Sequence, residues 1–171
     1  MLIDCSYFAG GSRYVLNATL GAGLLQKPEA RLVPEMMEGY IEEFQEPFLK
    51  AVLGPTLGNK VHCYLVSRED DEKSEEMKGY EAVCERLREA FADYVFYEFL
   101  RYSATQATVS GLVRIKNSNT AVSPMKRMVR AWNNMVERNR DFHVWSLSEE
   151  CPVKGISVDP SYLVKINSLN I

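Results

Sequence analysis

The amino-acid sequence predicts a mainly α fold in which two long amphipathic helices flank an arm, with extended segments at both chain ends. Two apolar stripes carry this reading. One runs through Tyr80, Val83, Cys84, Leu87, Phe91, Tyr94 and Val95, the other through Met125, Met128, Val129, Trp132, Met135 and Val136. Both follow the i, i+3, i+4, i+7 spacing that places side chains on one helical face. A third observation is the stretch between them, Thr105–Ala121, which alternates around Gly111 and has a polar tip at Asn117–Asn119. Residues 1–27 then read as an extended N-terminal docking segment, 28–146 as a helical domain with its arm at 105–121, and 147–171 as an extended C-terminal tail.

Taken in order, the first segment is poor in charge and rich in small residues, with Gly10-Gly11 and Gly21-Ala22-Gly23 interrupting any long helix. Val15–Leu20 suits a short strand or a helical turn. Docking on its own domain and docking on a neighbouring subunit are both open. Pro28 opens a helical region, in keeping with proline's preference for the first helical position. A second helix is expected from about Pro34 to Phe44, with Met36, Met37, Tyr40, Ile41 and Phe44 as its stripe. Glu46-Pro47 predicts a break or kink, because proline disfavours a helical residue before it. Phe48, Leu49, Val52 and Leu53 continue the pattern until Gly54 stops it, and Pro55 reopens a short helix to Leu65.

The charged stretch Arg68–Glu76 holds four consecutive acids at 69–72, but not the Asp-x-Asp-x-Asp-Gly order of a calcium loop. It reads as a solvated loop leading into a helix N-terminus, where acids are favourable. The long helix that follows spans about Glu75 to Tyr102. Its second half, from Tyr94 on, is apolar nearly all round, which predicts burial on several sides or contact with a neighbour. In the arm, Thr105, Thr108, Val109, Leu112, Val113 and Ile115 are good strand residues, and Asn117-Ser118-Asn119 is a turn signal. Ser123 is the expected N-cap of the last helix and Pro124 its first residue, with the helix reaching Arg140 or slightly beyond. The tail should be extended through Cys151–Pro160. It then alternates weakly, as a strap on its own domain or a strand added to another protein's sheet.

Composition bounds the function. With 171 residues, 46% hydrophobic and 25% charged, the chain suits one soluble domain. No apolar run approaches the roughly 18–20 residues that span a bilayer, so no membrane association is expected. The N-terminus also lacks the basic-then-apolar order of a secretory leader. The four cysteines (Cys5, Cys63, Cys84 and Cys151) are dispersed, which argues against a disulfide framework. His62 and Cys63 lack the further ligands of a zinc site, so no metal or other cofactor is expected. No phosphate-binding loop, nucleophile elbow or paired-histidine metalloprotease motif is present, and no catalytic residue is assigned.

The net charge of -3 hides a polarity. Residues 28–100 carry 17 acids against 8 bases, a balance of -9, whereas residues 101–141 carry 8 bases against 2 acids, a balance of +6. Such asymmetry suits head-to-tail packing of copies or a polyanion held on one face. A basic last helix bearing Lys126, Arg127 and Arg130 keeps a second reading open, that of a helical DNA-binding or regulatory protein.

Three stretches carry a resemblance: Tyr40-Ile-Glu-Glu-Phe-Gln-Glu-Pro-Phe-Leu-Lys-Ala-Val-Leu-Gly; Tyr94–Arg101 running into Thr105-Gln106-Ala107-Thr108 and Gly111-Leu-Val-Arg; and Lys126 to Ala131-Trp132-Asn133-Asn134-Met135-Val136. Over about residues 40–136 the chain resembles head-to-tail connector (adaptor, ring) proteins of tailed bacteriophages, of the kind found in crAss-like phages and prophages of Bacteroidetes. The resemblance implies a small antiparallel helix bundle with a protruding hairpin or loop. It also implies a homo-oligomeric ring, commonly of twelve copies, placed at the head–tail interface of the virion and assembled in the host bacterial cytoplasm. Its partners would be the portal protein, the next tail or stopper ring protein, and packaged DNA passing non-specifically through the lumen. On that reading Arg114, Lys116, Asn117 and Asn119 of the arm face the DNA channel or a neighbouring ring. Tyr97, Arg101, Lys126, Arg127, Arg130, Glu42 and Glu43 are then candidates for the subunit interface.

Overall fold

The computed structural model describes residues 1–19, 28–67, 74–103, 105–108, 111–114 and 124–167. The chain is mainly helical. Helix α1 spans Pro28–Leu53, α2 Pro55–Val66, α3 Glu75–Ser103 and α4 Met125–Ser146, with strands β1 (Thr105–Thr108) and β2 (Gly111–Arg114) between α3 and α4. The strands pair antiparallel, Thr105 opposite Arg114 and Thr108 opposite Gly111.

Of the break or kink expected at Pro47, no break occurs: what reads in sequence as two or three helical pieces is one helix containing both Pro34 and Pro47. The reason lies in which side of α1 the proline occupies. Proline removes the hydrogen bond to the carbonyl four residues earlier, that of Glu43. Glu43 and Pro47 are both exposed, so water can satisfy that carbonyl. Phe44, Phe48, Leu49 and Val52 meanwhile anchor both sides of the proline in one core. At the other predicted boundary the expectation holds: Gly54 has φ +87° and ψ 157°, a backbone state that only glycine adopts readily.

Contacts between α1 and α3 run in opposite chain directions, Tyr40 against Phe99, Phe44 against Tyr94, and Phe48 against Phe91. Those between α3 and α4 do the same, with Arg86 over Trp145, Asp93 paired with Arg138, and Tyr97 against Trp132. Helix α3 therefore has α1 on one side and α4 on another. This explains why residues 91–98 are all buried and why that stretch is apolar nearly all round. All seven residues of the first predicted stripe are buried. Of the second, Met128, Met135 and Val136 are buried while Met125, Val129 and Trp132 are half-buried. Helix α4 runs six residues past Arg140, adding Phe142 and Ser146 to the buried set. Pro124 has helical dihedrals, and its carbonyl accepts from Met128 N at 2.9 Å, in accord with its expected place at the helix start. Ser123, the expected N-cap, lies outside the described residues, as does the acidic run at 69–72.

Helix α2 folds back on α1 at Gly58. A Cβ there would sit 2.6 Å from the carbonyl carbon and oxygen of Leu49 and from Cα of Lys50, so the two backbones touch where no side chain fits. Gly58→Ala should therefore lower stability by about 1–3 kcal/mol through overpacking. That would occur despite the roughly 1 kcal/mol by which alanine exceeds glycine in helix propensity. Urea denaturation measures the balance, and an unchanged or raised midpoint would show that the helices can part at no cost.

The described residues of both terminal segments, 1–19 and 147–167, pack on the chain's own helices. Leu2, Ile3, Phe8, Val15 and Ala18 are buried, and Leu2 N donates to Gln45 Oε1 at 2.6 Å. Val15–Ala18 forms neither strand nor helix but a turn, with Asn17 at φ +64°. Asparagine tolerates that left-handed conformation better than most residues. The tail crosses the end of α1, where Ser157 N and Asp159 N donate to the carbonyls of Leu53 and Ala51 at 3.3 and 2.7 Å. Those are among the four carbonyls that a helix C-terminus leaves without partners. A 3-10 turn, Pro160–Leu163, then seats Tyr162 against Phe48 of α1, Tyr94 of α3 and Trp132 of α4, with ring centroids 5.6–6.1 Å away. Beyond it the tail runs along α4. Trp132 Nε1 donates to Val164 O at 2.9 Å, and Asn133 exchanges two hydrogen bonds with the backbone of Ile166. Of the two roles open for the tail, residues 147–167 take that of a strap on their own domain, without strand pairing among the described residues.

Candidate functional site

A buried carboxylate lies at the middle of the α3–α4 seam. Asp93 is 1% exposed and interrupts the apolar run around Phe91 and Tyr94. Two guanidiniums reach it. Arg13 Nη1, from the 3-10 turn Gly11–Arg13, donates to Oδ1 at 3.0 Å, and Arg138 Nε of α4 donates to Oδ2 at 2.9 Å. Glu89, one helical turn earlier, accepts from Arg13 Nη2 at 2.7 Å and lies 3.7 Å from Arg138 Nη2. Two acids and two bases close into a network that ties the N-terminal segment, α3 and α4 together. Burial raises the Asp93 pKa above its ordinary value, and the two arginines, pulling the other way, do not fully offset it. The carboxylates here are committed to ion pairs and leave no open pair for acid–base chemistry.

Sequence reasoning missed this network. The available signal was a lone acid within an apolar helical run, since a fully buried aspartate is nearly always paired. Nothing in the spacing shows that its partners stand 80 and 45 positions away.

The interface candidates divide by what they touch. Tyr97 is buried in its own chain, with its ring 5.0 Å from Trp132, and burial raises its phenol pKa. Arg101 is exposed, yet its Nε lies 2.8 Å from the buried Glu98 and its guanidinium sits over the Tyr102 ring. Arg138 and Arg140, counted in the basic segment, are also occupied. The first holds Asp93, and the second donates twice to Leu163 O at 2.9 and 2.7 Å.

Lys126, Arg127 and Arg130 are exposed on the first two turns of α4. Glu42 and Glu43 are exposed on α1, together with Glu35 and Glu38. The positive and negative faces thus belong to helices on different sides of α3. Arg114 closes strand β2, its backbone opposite Thr105. Lys116, Asn117 and Asn119 lie outside the described residues.

Among the described residues, no three His, Cys, Asp or Glu side chains gather where a metal could sit. His62 Nδ1 is 3.3 Å from Gln45 Nε2, and Cys63 is exposed on α2. No described helix is long and apolar enough to cross a membrane. Comparisons with protein-family models, with curated proteins and with solved structures return no match.

Proposed function

We propose that this chain is a virion structural protein, a subunit of a head-to-tail connector ring that joins portal to tail and lines or gates the DNA channel. The observation that carries the proposal is the separation of charge. Exposed glutamates at 35, 38, 42 and 43 stand on α1, and exposed Lys126, Arg127 and Arg130 stand on α4, with α3 between the two helices. A closed ring is built from heterologous contacts, in which one face of a subunit meets a different face of the next. Faces of opposite sign suit that arrangement and disfavour face-to-face dimers. The finer architecture under this reading is an antiparallel bundle from which the ribbon of β1 and β2 protrudes, carrying Arg114, Lys116, Asn117 and Asn119 toward passing DNA or a neighbouring ring. Twelve copies, a portal partner, a tail or stopper partner and a place at the head–tail interface belong to the same proposal. The protein works by assembly, without turnover.

Mass determination of the purified chain and of purified particles tests the proposal. A ring-sized species in solution, or the chain as a component of particles, is expected; a stable monomer absent from particles overturns it. Changing Arg114 and Lys116 together to Glu is expected to leave the fold intact while impairing assembly or DNA retention. Particles that form and hold DNA normally would leave the arm's charge without a role.

The second reading, a helical DNA-binding or regulatory protein, draws on the same three exposed cations of α4. It would show as tight binding of the free chain to duplex that weakens steeply with salt.

A further inference from the structure

We infer that the cleft between the 3-10 turn Gly11–Arg13 and the first turns of α4 is a binding site for a phosphate-class oxyanion. The cleft has a volume of about 220 Å³ and is lined by Ser12, Arg13, Asp93, Arg127, Arg130 and Asn134, with Phe96 at its wall. At the ~30 Å³ that a water molecule occupies in the liquid, this is room for a tetrahedral oxyanion and some of its waters.

The charge balance of the lining points to an anion. Arg13 and Arg138 are matched against Asp93 and Glu89, so that network is close to neutral. Arg127 and Arg130 have no acidic counterpart among the described residues and leave the cleft with two uncompensated positive charges. The first turn of α4 contains no acid, so the partial positive charge of the helix N-terminus adds to theirs.

The donors are also preorganised. Arg127 Nη2 donates to Tyr14 O at 2.9 Å and its guanidinium lies 4.9 Å from the centre of the Phe96 ring, which fixes the group at the cleft wall. Arg13 is held by its two acids, yet its Nε is buried without a hydrogen-bond partner. Arg130, Asn134 and the Ser12 hydroxyl have no hydrogen-bond partner among the described residues. Guanidiniums fork onto phosphate oxygens in pairs, and amide and hydroxyl donors complete such a shell. A buried unpaired donor beside two unmatched arginines is a polar deficit that an oxyanion would fill.

The inference goes beyond the connector proposal and competes with it for Arg127 and Arg130: a ring that seats glutamates of the next copy on both cations would exclude phosphate, whereas a monomer that binds phosphate would leave the site standing. The test is an NMR titration of the full chain with inorganic phosphate, against sodium chloride at equal ionic strength. Saturable shifts are expected at Gly11, Ser12 and Asn134. Arg130→Gln should weaken binding roughly tenfold or more, as loss of a charge-assisted hydrogen bond does, while Arg130→Lys keeps part of it. Lys126→Gln, which changes an exposed neighbour outside the cleft, should stay within about twofold, as for other surface charges. Shifts that never saturate, or equal weakening by Arg130→Gln and Lys126→Gln, would reduce the cleft to a patch of general positive potential and overturn the inference.

Adding a short DNA duplex distinguishes the sources of the phosphate. Displacement of phosphate identifies the nucleic-acid backbone, and saturation without displacement identifies free phosphate or a small phosphate ester. Either result supports the site. If raising the protein concentration displaces phosphate as the mass increases, a carboxylate of a second copy fills the cleft, and the phosphate assignment fails.

Discussion

Asp93→Ala is expected to destabilise the fold by about 3–5 kcal/mol, the usual cost of removing one partner from a buried ion pair. The cost arises mainly at Arg13. Its side chain is only 14% exposed, and without Asp93 it keeps Glu89 as its one acidic partner. Burial already raises the Asp93 pKa against the pull of two arginines, so the ionised carboxylate is held at some expense. The network should therefore behave as a unit. Converting Arg13, Asp93 and Arg138 together to Met, Leu and Leu should recover most of the loss, because well-packed apolar groups replace buried charges at little or no cost. Chemical denaturation of the single and triple variants provides the comparison. A triple variant less stable than Asp93→Ala would show that the charges themselves stabilise the α3–α4 seam. Asp93→Ala with wild-type stability would mean that Arg13 finds water or another partner.

Phe48→Ala is expected to cost about 3–5 kcal/mol, the range for deleting a buried aromatic ring. Phe48 is fully buried, and its ring lies 5.2 Å from that of Phe91, 5.4 Å from Tyr94 and 6.1 Å from Tyr162. It is thus the point where α1, α3 and the tail meet. Tyr162 also donates to the Tyr94 hydroxyl at 3.2 Å, and burial pushes the Tyr94 phenol well above its ordinary pKa. Because the rings of Phe48 and Tyr162 pack against one another, Phe48→Ala and Tyr162→Ala should be non-additive, with a coupling of about 0.5–3 kcal/mol in a double-mutant cycle. Strict additivity would show that the tail rests on the helices without contributing to their packing. A loss below about 1 kcal/mol for Phe48→Ala alone would mean that the surrounding rings close the gap by rotation.

Residues near one another in sequence made much of the helical layout legible. The stripe from Tyr80 to Val95 is periodic over sixteen positions, and the burial of each of its members follows from that period. Gly54 could be read because a positive φ is a local demand. Pro47 leaves a break and a kink both open in the sequence, for a complementary reason. Its local effect is real, but whether it ends a helix depends on which way the orphaned carbonyl of Glu43 faces, and that is set by packing. Lys126, Arg127 and Arg130 could be singled out from charge alone, while Arg138 and Arg140 of the same basic stretch are spent inside the fold. Tyr97 lies in a helix that is apolar all round, where an aromatic can face its own chain or another, and the contact with Trp132 was not legible in the spacing.

By itself, then, the sequence determined the helical class, the faces that turn inward and the polarity of charge along the chain, because each is written in spacing or composition within a few turns. Tertiary structure alone decided what those faces meet. It brought Arg13 across 80 positions to Asp93, seated Tyr162 among three helices, and set α2 against α1 where only Gly58 fits. The physical reason is that a periodic stripe states that a surface leaves water without naming the surface that covers it. Side chains far apart in sequence choose one another only when shape, charge and hydrogen bonds are satisfied together.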